Sequence, residues 1–573
     1  MRVCLVTPFA WSQPHDVNDH VAGVADALRR RDHEVTVVAP STRAGDLLAG
    51  RRALARGERA DVIAVGAAIP ISRRSQLGVP VGVQANLRQA LALGFDVVHG
   101  FEPGLPSLSY LALRDTDAFA AATFVSPNRL GYPPARSARE KLLGRVDALI
   151  ALSEAMREAA EERFPGDYKI LSPGVDTELF TPRAKRNLIV LELRPTERDV
   201  ARSVMHALRE LPDWELVLLR TRPLIARPAI PRDLAGRVLV RTARDARLRA
   251  TLLNEAAVFV PGIVGVRRVT LEARASGCAI ARPQGIEGQP ELAGAAVARL
   301  AEDAKLRERE GAEGRKAAES QTFDDVAAEL EKLYASVEGR RRKRRAAEPL
   351  ADRPWIVADL HMHTNWSHDC SIDPAELVDH AEAEGIGAIA VTDHNVFGGA
   401  LETADLARGR YLIVIPGEEV KTDEQGGVIG LFLKNEIPRG LSFADTLAAI
   451  REQDGIVYVP HPFDRLHAIP DPRMLHRHLA DIDVLEVYNA RLLFEAYNDE
   501  AERFARKYNL LAGAGSDAHV LAGVGTGVVR MRRFDGPEDF LVALREGEVL
   551  RRPKSLVYLQ GLKWVAQAKE RVR

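Results

Sequence analysis

Short apolar runs alternate with stretches of helical spacing along most of this chain. In the first half the runs fall at residues 2–6, 34–40, 62–65, 96–99, 120–125 and 148–152. A second set falls at 187–191, 215–219, 238–240, 257–260 and 279–281. Runs of this length predict strands buried in parallel sheets. Val21, Val24, Ala25 and Leu28 share one face of a helix over 18–30. The alternation, repeated twice, predicts two Rossmann-like α/β domains in tandem with a ligand cleft between them.

The last third keeps the alternation and adds a second regularity. Apolar runs at 355–358, 386–391, 411–415, 455–459, 484–487 and 510–515 each lead into polar residues. The first leads to Asp359, His361 and His363, and the second to Thr392, Asp393 and His394. The others lead to Glu418 and Glu419, to His461, to Arg491, and to Asp517 and His519. Helical patterns at 374–384 and 443–453 separate them. Strand side chains alternate, so His361 and His363 point the same way. Imidazoles and carboxylates at the C-terminal ends of several parallel strands predict one shared site suited to a borderline metal. His476 and His478 also stand two apart, but on a helical stretch where such residues do not face one another.

Composition narrows the class. At 573 residues the chain is too long for one core, and two or three domains are expected. With 46% hydrophobic and 28% charged residues it is globular, and a net charge of −1 gives no global pull toward nucleic acid or membrane. Three widely spaced cysteines exclude a disulfide framework and point to a reducing compartment, here the cytoplasm. Residues 1–9 read as a first strand rather than a signal peptide, and no apolar run approaches the length of a membrane span. Residues 340–345 are all basic and read as a solvated linker. The sharper alternative is an electrostatic handle for phosphorylated polymers or anionic membrane. The expected divisions are 1–180 and 181–336 for the Rossmann-like domains, 337–354 for the linker, 355–530 for a barrel and 531–573 for a helical extension.

The motifs DLHMHT at 359–364, TDH at 392–394, PGEE at 416–419, PHPFD at 460–464 and SDAH at 516–519 resemble those of the PHP (polymerase and histidinol phosphatase) family. The resemblance implies a distorted seven-stranded barrel and metal-dependent phosphoester hydrolysis with two or three divalent ions, Zn, Mn or Fe. It implies that His361 and His363 hold the first ion, with Glu419 bridging and Asp517 closing the shell. Asp369 and His394 would hold a second, and His461 and His519 the second or a third. His368 is read as an outer partner or a leaving-group acid, Asp359 as the group orienting a ligand His, and Glu418 as pointing away. Residues 424–430 lack the extra His of many three-metal members, so the ion count stays open. Arg465, His467 and Arg491 follow strand ends and are candidates for the substrate phosphate, or plain surface charge.

The first half resembles a two-domain GT-B glycosyltransferase. The carriers are Asp32 to Val35, FDVVH at 95–99, ALSE at 151–154, SPGVDTELF at 172–180 and LEARASG at 271–277. The resemblance implies a nucleotide-sugar donor, with Arg194 and Arg198 near its diphosphate and Glu272 on its ribose. Val264 stands where the family has a second Glu, and the glycine pair of the first loop is missing from 11–19. Arg194 and Arg198 read first as solvated loop charge, and His99 as a satisfied strand-end histidine. Glu272 reads equally as an exposed helix residue. The expectation is a retained transferase fold without transferase activity, joined to a catalytic phosphoesterase. The alternatives are an active transferase with an accessory hydrolase, or a sugar- or nucleotide-binding module that localises the hydrolase. Expected partners are a small phosphorylated substrate such as a nucleotide and a nucleotide-sugar in the first half's cleft, with nucleic acid left open.

Overall fold

The apolar runs of the first half fold as strands of two parallel sheets. The first has seven strands, in spatial order Val62–Ala67, Glu34–Ser41, Arg2–Val6, Val97–Phe101, Phe119–Phe124, Ala148–Ala151 and Tyr168–Ile170. The second has five, in the order Val238–Thr242, Glu215–Arg220, Arg186–Glu192, Ala256–Val260 and Ala279–Ile280. Tyr168–Ile170 escapes the sequence reading because this edge strand is largely exposed and carries no buried run. This computed structural model describes all residues except 14, 69–82, 194–197, 222–228, 244, 262–267, 282–288, 290, 339–349, 424–425, 466–468 and 553–573. The chain separates into two units, Met1–Ala335 and Ser336–Arg573. Among the described residues, no helix is long and apolar enough to cross a membrane. The basic run at 340–345 lies outside the described residues.

In the first unit the strand order reverses between Arg2–Val6 and Val97–Phe101, the usual place for a crevice. Side chains from this chain gather there. The Phe9 ring stacks on His15 at 3.6 Å, and the Arg129 guanidinium lies 4.7 Å from the Phe9 centroid. Arg129 also donates to the buried Glu102 at 3.0 Å. His99 is buried with both ring nitrogens bonded, Nδ1 to the Tyr334 hydroxyl at 2.7 Å and Nε2 to Thr123 at 2.6 Å. Tyr334 belongs to the helix Phe323–Glu338, which packs back on the first sheet.

Two buried histidines tie this unit to pH. Burial pushes His20 down to about 4, and burial together with the charge of His20 pushes His99 down to about 3. Both stay neutral in the fold, whereas the unfolded chain takes up protons near 6.5. Their contribution is therefore complete above pH 6.5 and is lost as pH falls toward 4. At pH 5 the loss is about 2 kcal/mol for each. Chemical unfolding of His20→Leu at pH 7 and pH 5 is expected to show about 2 kcal/mol less acid sensitivity than the parent. Equal slopes would show that His20 does not carry the effect.

The second unit is built on one mixed sheet. Its strands are β1 (Trp355–Met362), β2 (Ala388–Val391), β3 (Ile413–Lys421), β4 (Gly427–Leu431) and β5 (Ile456–Val459). They continue with β6 (Val484–Asn489), β7 (Leu511–Gly515), β8 (Gly527–Arg532) and β9 (Glu548–Arg551). The order is β7-β6-β5-β4-β3-β2-β1-β8-β9. The two ends of the run β1 to β7 are joined: Asp517 donates its backbone N–H to His361 at 2.8 Å and His363 donates to Ala518 at 3.2 Å. That closure curls the sheet toward a barrel.

The sequence reading meets the structure in two places here. The expected seven strands are the closed run β1 to β7, and among the described residues the sheet adds two more, because β8 pairs antiparallel with β1 and β9 with β8. The same reading takes 531–573 as helical. Pro537–Arg545 is a helix, with Pro at its first turn, β9 follows it as a strand, and 553–573 lie outside the described residues. The strand β4, antiparallel to both neighbours, hides in the sequence because two of its five residues are glycine.

Candidate metal centre

Each parallel strand of the barrel delivers its ligand-type residues to the same end. His361 and His363, alternate residues at the end of β1, are fully buried on one side of the strand. Glu419 stands in β3, His394 follows β2, His461 follows β5, and Asp517 and His519 follow β7. Asp369 comes from the loop after β1. That loop is fixed by the buried Asp393, which accepts from the Thr364 N–H at 2.7 Å, the Thr364 hydroxyl at 2.6 Å and the Ser367 hydroxyl at 2.6 Å. Ser367 in turn accepts the His394 N–H at 3.0 Å, which ties the two loops together.

All eight predicted ligand candidates meet. Glu419 lies at the middle, 3.2 Å from His361 Nε2, 3.3 Å from His394 Nδ1, 3.5 Å from His461 Nε2 and 3.6 Å from His363 Nε2. Asp517 lies 3.4 Å from His363 and 3.5 Å from His519, and Asp369 lies 2.9 Å from His519. Asp369, His394, Glu419, His461 and Asp517 line a cavity of about 320 Å³ together with His368, Lys421, Asp464, Arg491 and Leu492, and His361, His363 and His519 lie buried behind them.

The donor set suits a divalent cation. Three triads, His361–His363–Glu419, His361–His461–Asp517 and His363–His394–His519, each bring donor atoms within 4.8 Å of one another. Nε2 of His361 and Nε2 of His363 lie only 3.2 Å apart. Burial would raise the Glu419 carboxyl, but hydrogen bonds from His361 and His461 hold it well below the usual carboxylate range. Burial likewise opposes ionisation of Asp517, and the charges of Arg491 and His361 with the His363 bond overcome it. Burial pushes His363 down to about 3, helped by the neighbouring imidazoles. Burial would lower His361, but the carboxylates Glu486 and Asp517 hold it well above the ordinary imidazole range, and a divalent ion such as Zn, Mn or Fe would take the place of that proton. The backbone is strained at two of these residues, His461 with φ +28° and Asp517 with φ +49°. Such conformations cost about 1–3 kcal/mol each and cluster at functional sites.

The residues around the eight differ more from expectation. Arg491 reaches the cluster, 3.3 Å from Asp517 Oδ1 and 3.0 Å from His519 Nδ1. Arg465 is not among the described residues that line the cavity, whereas its neighbour Asp464 is. His467 lies outside the described residues. Glu418 points away and accepts the Ile437 N–H at 2.9 Å. Asp359 does not orient an imidazole. It accepts backbone N–H groups, from Ser516 and Gly525 at 2.9 Å and His361 at 3.4 Å. The carboxylate on the His361 ring is Glu486, at 3.0 Å from Nδ1. The sequence reading missed it, although a lone acid inside the run Val484, Leu485, Val487 was the available signal.

In the first unit, Glu272 is not an exposed helix residue. It is 1% exposed on the helix Arg268–Ala275. Arg249 donates to its two oxygens at 2.7 and 2.9 Å, and Arg268 to Oε1 at 2.6 and 2.8 Å. Arg268 also pairs with Asp19, from the helix Asp16–Arg30 beside the first sheet, at 2.7 Å. Burial pulls Glu272 inward because two guanidiniums offset its charge. Arg198 is exposed at the start of Arg198–Ala207, and Arg194 and Val264 lie outside the described residues.

Comparison with known proteins locates these features in families. The Glycosyltransferase Family 4 model matches residues 17–179, the PHP domain model 359–498 and the PHP-associated model 495–549. An uncharacterized protein of Methanocaldococcus jannaschii is 36% identical over 145 residues, 24% of this chain and 82% of that protein. A second from the same organism is 32% identical over 215 residues, 35% of this chain and 85% of the other. A phosphatidyl-myo-inositol mannosyltransferase of Mycolicibacterium smegmatis is 27% identical over 305 residues, 49% of this chain and 75% of that enzyme.

Proposed function

Because this chain belongs to the PHP domain family and carries a Glycosyltransferase Family 4 region ahead of that domain, we propose that its barrel, residues 355–530, is a metal-dependent phosphoesterase. The convergence of His361, His363, Asp369, His394, Glu419, His461, Asp517 and His519 in one cluster beside the cavity carries this reading. These eight would hold two or three divalent ions, with Glu419, in contact with four imidazoles, shared between them. Such ions supply an activated water and offset the charge on a phosphoester. Arg491, beside Asp517 and His519, would bind the substrate phosphate through its planar donor fork. Lys421 at the cavity wall adds a second positive charge. A small phosphorylated substrate such as a nucleotide suits a cavity of about 320 Å³.

The test is a panel of phosphomonoesters and phosphodiesters before and after chelation. Hydrolysis of at least one class, lost with the chelator and restored by Zn, Mn or Fe, is expected. A fully metal-loaded chain that cleaves none of them would overturn the reading.

Sugar transfer by the first unit is the second reading, favoured by the match over 17–179 and by relatives named as mannosyltransferases. Against it stands Glu272, whose oxygens are both occupied by Arg249 and Arg268. Calorimetric titration of nucleotide-sugars into the full chain separates binding from none, and release of nucleotide on adding an acceptor alcohol separates transfer from binding alone.

A further inference from the structure

Glu486 lies in the middle of β6 with a fully buried side chain, and four donors converge on it. The His461 backbone N–H reaches Oε2 at 2.7 Å and the Asn489 amide reaches it at 3.0 Å. The Tyr458 hydroxyl reaches Oε1 at 3.1 Å, and His361 Nδ1 lies 3.0 Å from the same oxygen. A backbone N–H and a side-chain NH₂ can only donate, so Oε2 must accept. A carboxylate that accepts at both oxygens obliges the imidazole to carry its hydrogen on Nδ1. Nε2 is then the nitrogen left for a metal, and it faces Glu419 at 3.2 Å and Asp517 at 4.0 Å.

We propose that Glu486 is the positioning residue of the centre, fixing His361 in the Nδ1–H tautomer and seating the His461 backbone in the same act. One buried acid thereby ties β1, β5 and β6 together at the site. A carboxylate on the far nitrogen of a ligand His also raises its basicity toward a metal. Room for the arrangement comes from Gly515, where a Cβ would lie 2.8 Å from Glu486 Oε1 and 2.2 Å from His361 Cβ. The inference rests on the metal-dependent reading given above.

Glu486→Gln tests it in the full chain, stripped of metal and reloaded with Zn²⁺ or Co²⁺. Gln must turn an NH₂ group toward either His361 or the His461 N–H, so one of these contacts becomes donor against donor. Competition with a chelator is expected to show binding weaker by about 10–100-fold, the usual effect of losing such a partner. The visible absorption of bound Co²⁺ is expected to shift, and Glu486→Asp, which keeps the acceptors, to recover part of both. Unchanged affinity and spectrum in Glu486→Gln would overturn the inference while the phosphoesterase reading stands. A parent chain that binds no metal would overturn the reading beneath it. If Glu486→Gln does not fold, nitrogen NMR of histidine-labelled, Zn²⁺-loaded parent protein decides. Hydrogen on His361 Nδ1 supports the inference, and metal on that nitrogen refutes it.

Discussion

Replacing His361 and His363 together by Ala is expected to remove the bound metal and to lower phosphoester hydrolysis by at least about 10³-fold. Metal assistance is worth several kcal/mol of transition-state stabilisation, and each 1.36 kcal/mol is a factor of ten. The two imidazoles belong to all three triads between them, so their loss breaks every candidate site at once. It also leaves Glu419 and Asp517 with fewer positive partners, which weakens what remains. Far-UV circular dichroism separates loss of the site from loss of the fold. Hydrolysis at the parent rate in a folded double variant would end the phosphoesterase reading.

Gly515→Val is expected to have the next largest effect, and it acts without touching a ligand. Gly515 closes β7 against β1. A Cβ there would sit 2.2 Å from His361 Cβ, 3.0 Å from its Cα and 2.8 Å from Glu486 Oε1. The first two atoms are rooted in the backbone of β1 and cannot swing aside. Overpacking of this kind costs about 1–3 kcal/mol, and here the displaced atoms carry a ligand imidazole. Thermal unfolding should fall, and metal should be lost at chelator concentrations the parent withstands. A variant that keeps both would mean that β7 approaches β1 less closely than these distances require.

Much of this architecture is legible in the sequence because barrel topology does the gathering. When parallel strands share a sheet, their C-terminal ends share a side, so a ligand-type residue at each end converges without any knowledge of distances. That is why His361, His394, Glu419, His461 and Asp517, spread over a third of the chain, could be grouped by position alone. What surrounds them was not legible. Glu486 sits inside an apolar strand, and nothing in V-L-E-V tells which imidazole it faces. Asp359 shares the spacing of the ligands, yet its oxygens are taken by backbone N–H groups that only the closed barrel brings near. Glu272 shows the same limit in the first unit. Its i,i+4 partner Arg268 follows from helical spacing, but Arg249 arrives from another helix, and the pair of them turns an expected surface acid into a buried one.

The most direct test is a count of divalent ions per chain, by elemental mass spectrometry, on purified protein reloaded with Zn, Mn or Fe and freed of excess. Two or more ions per parent chain, lost in the His361→Ala, His363→Ala variant, are predicted. A folded parent chain that retains none, or a double variant that retains as many as the parent, would contradict the account.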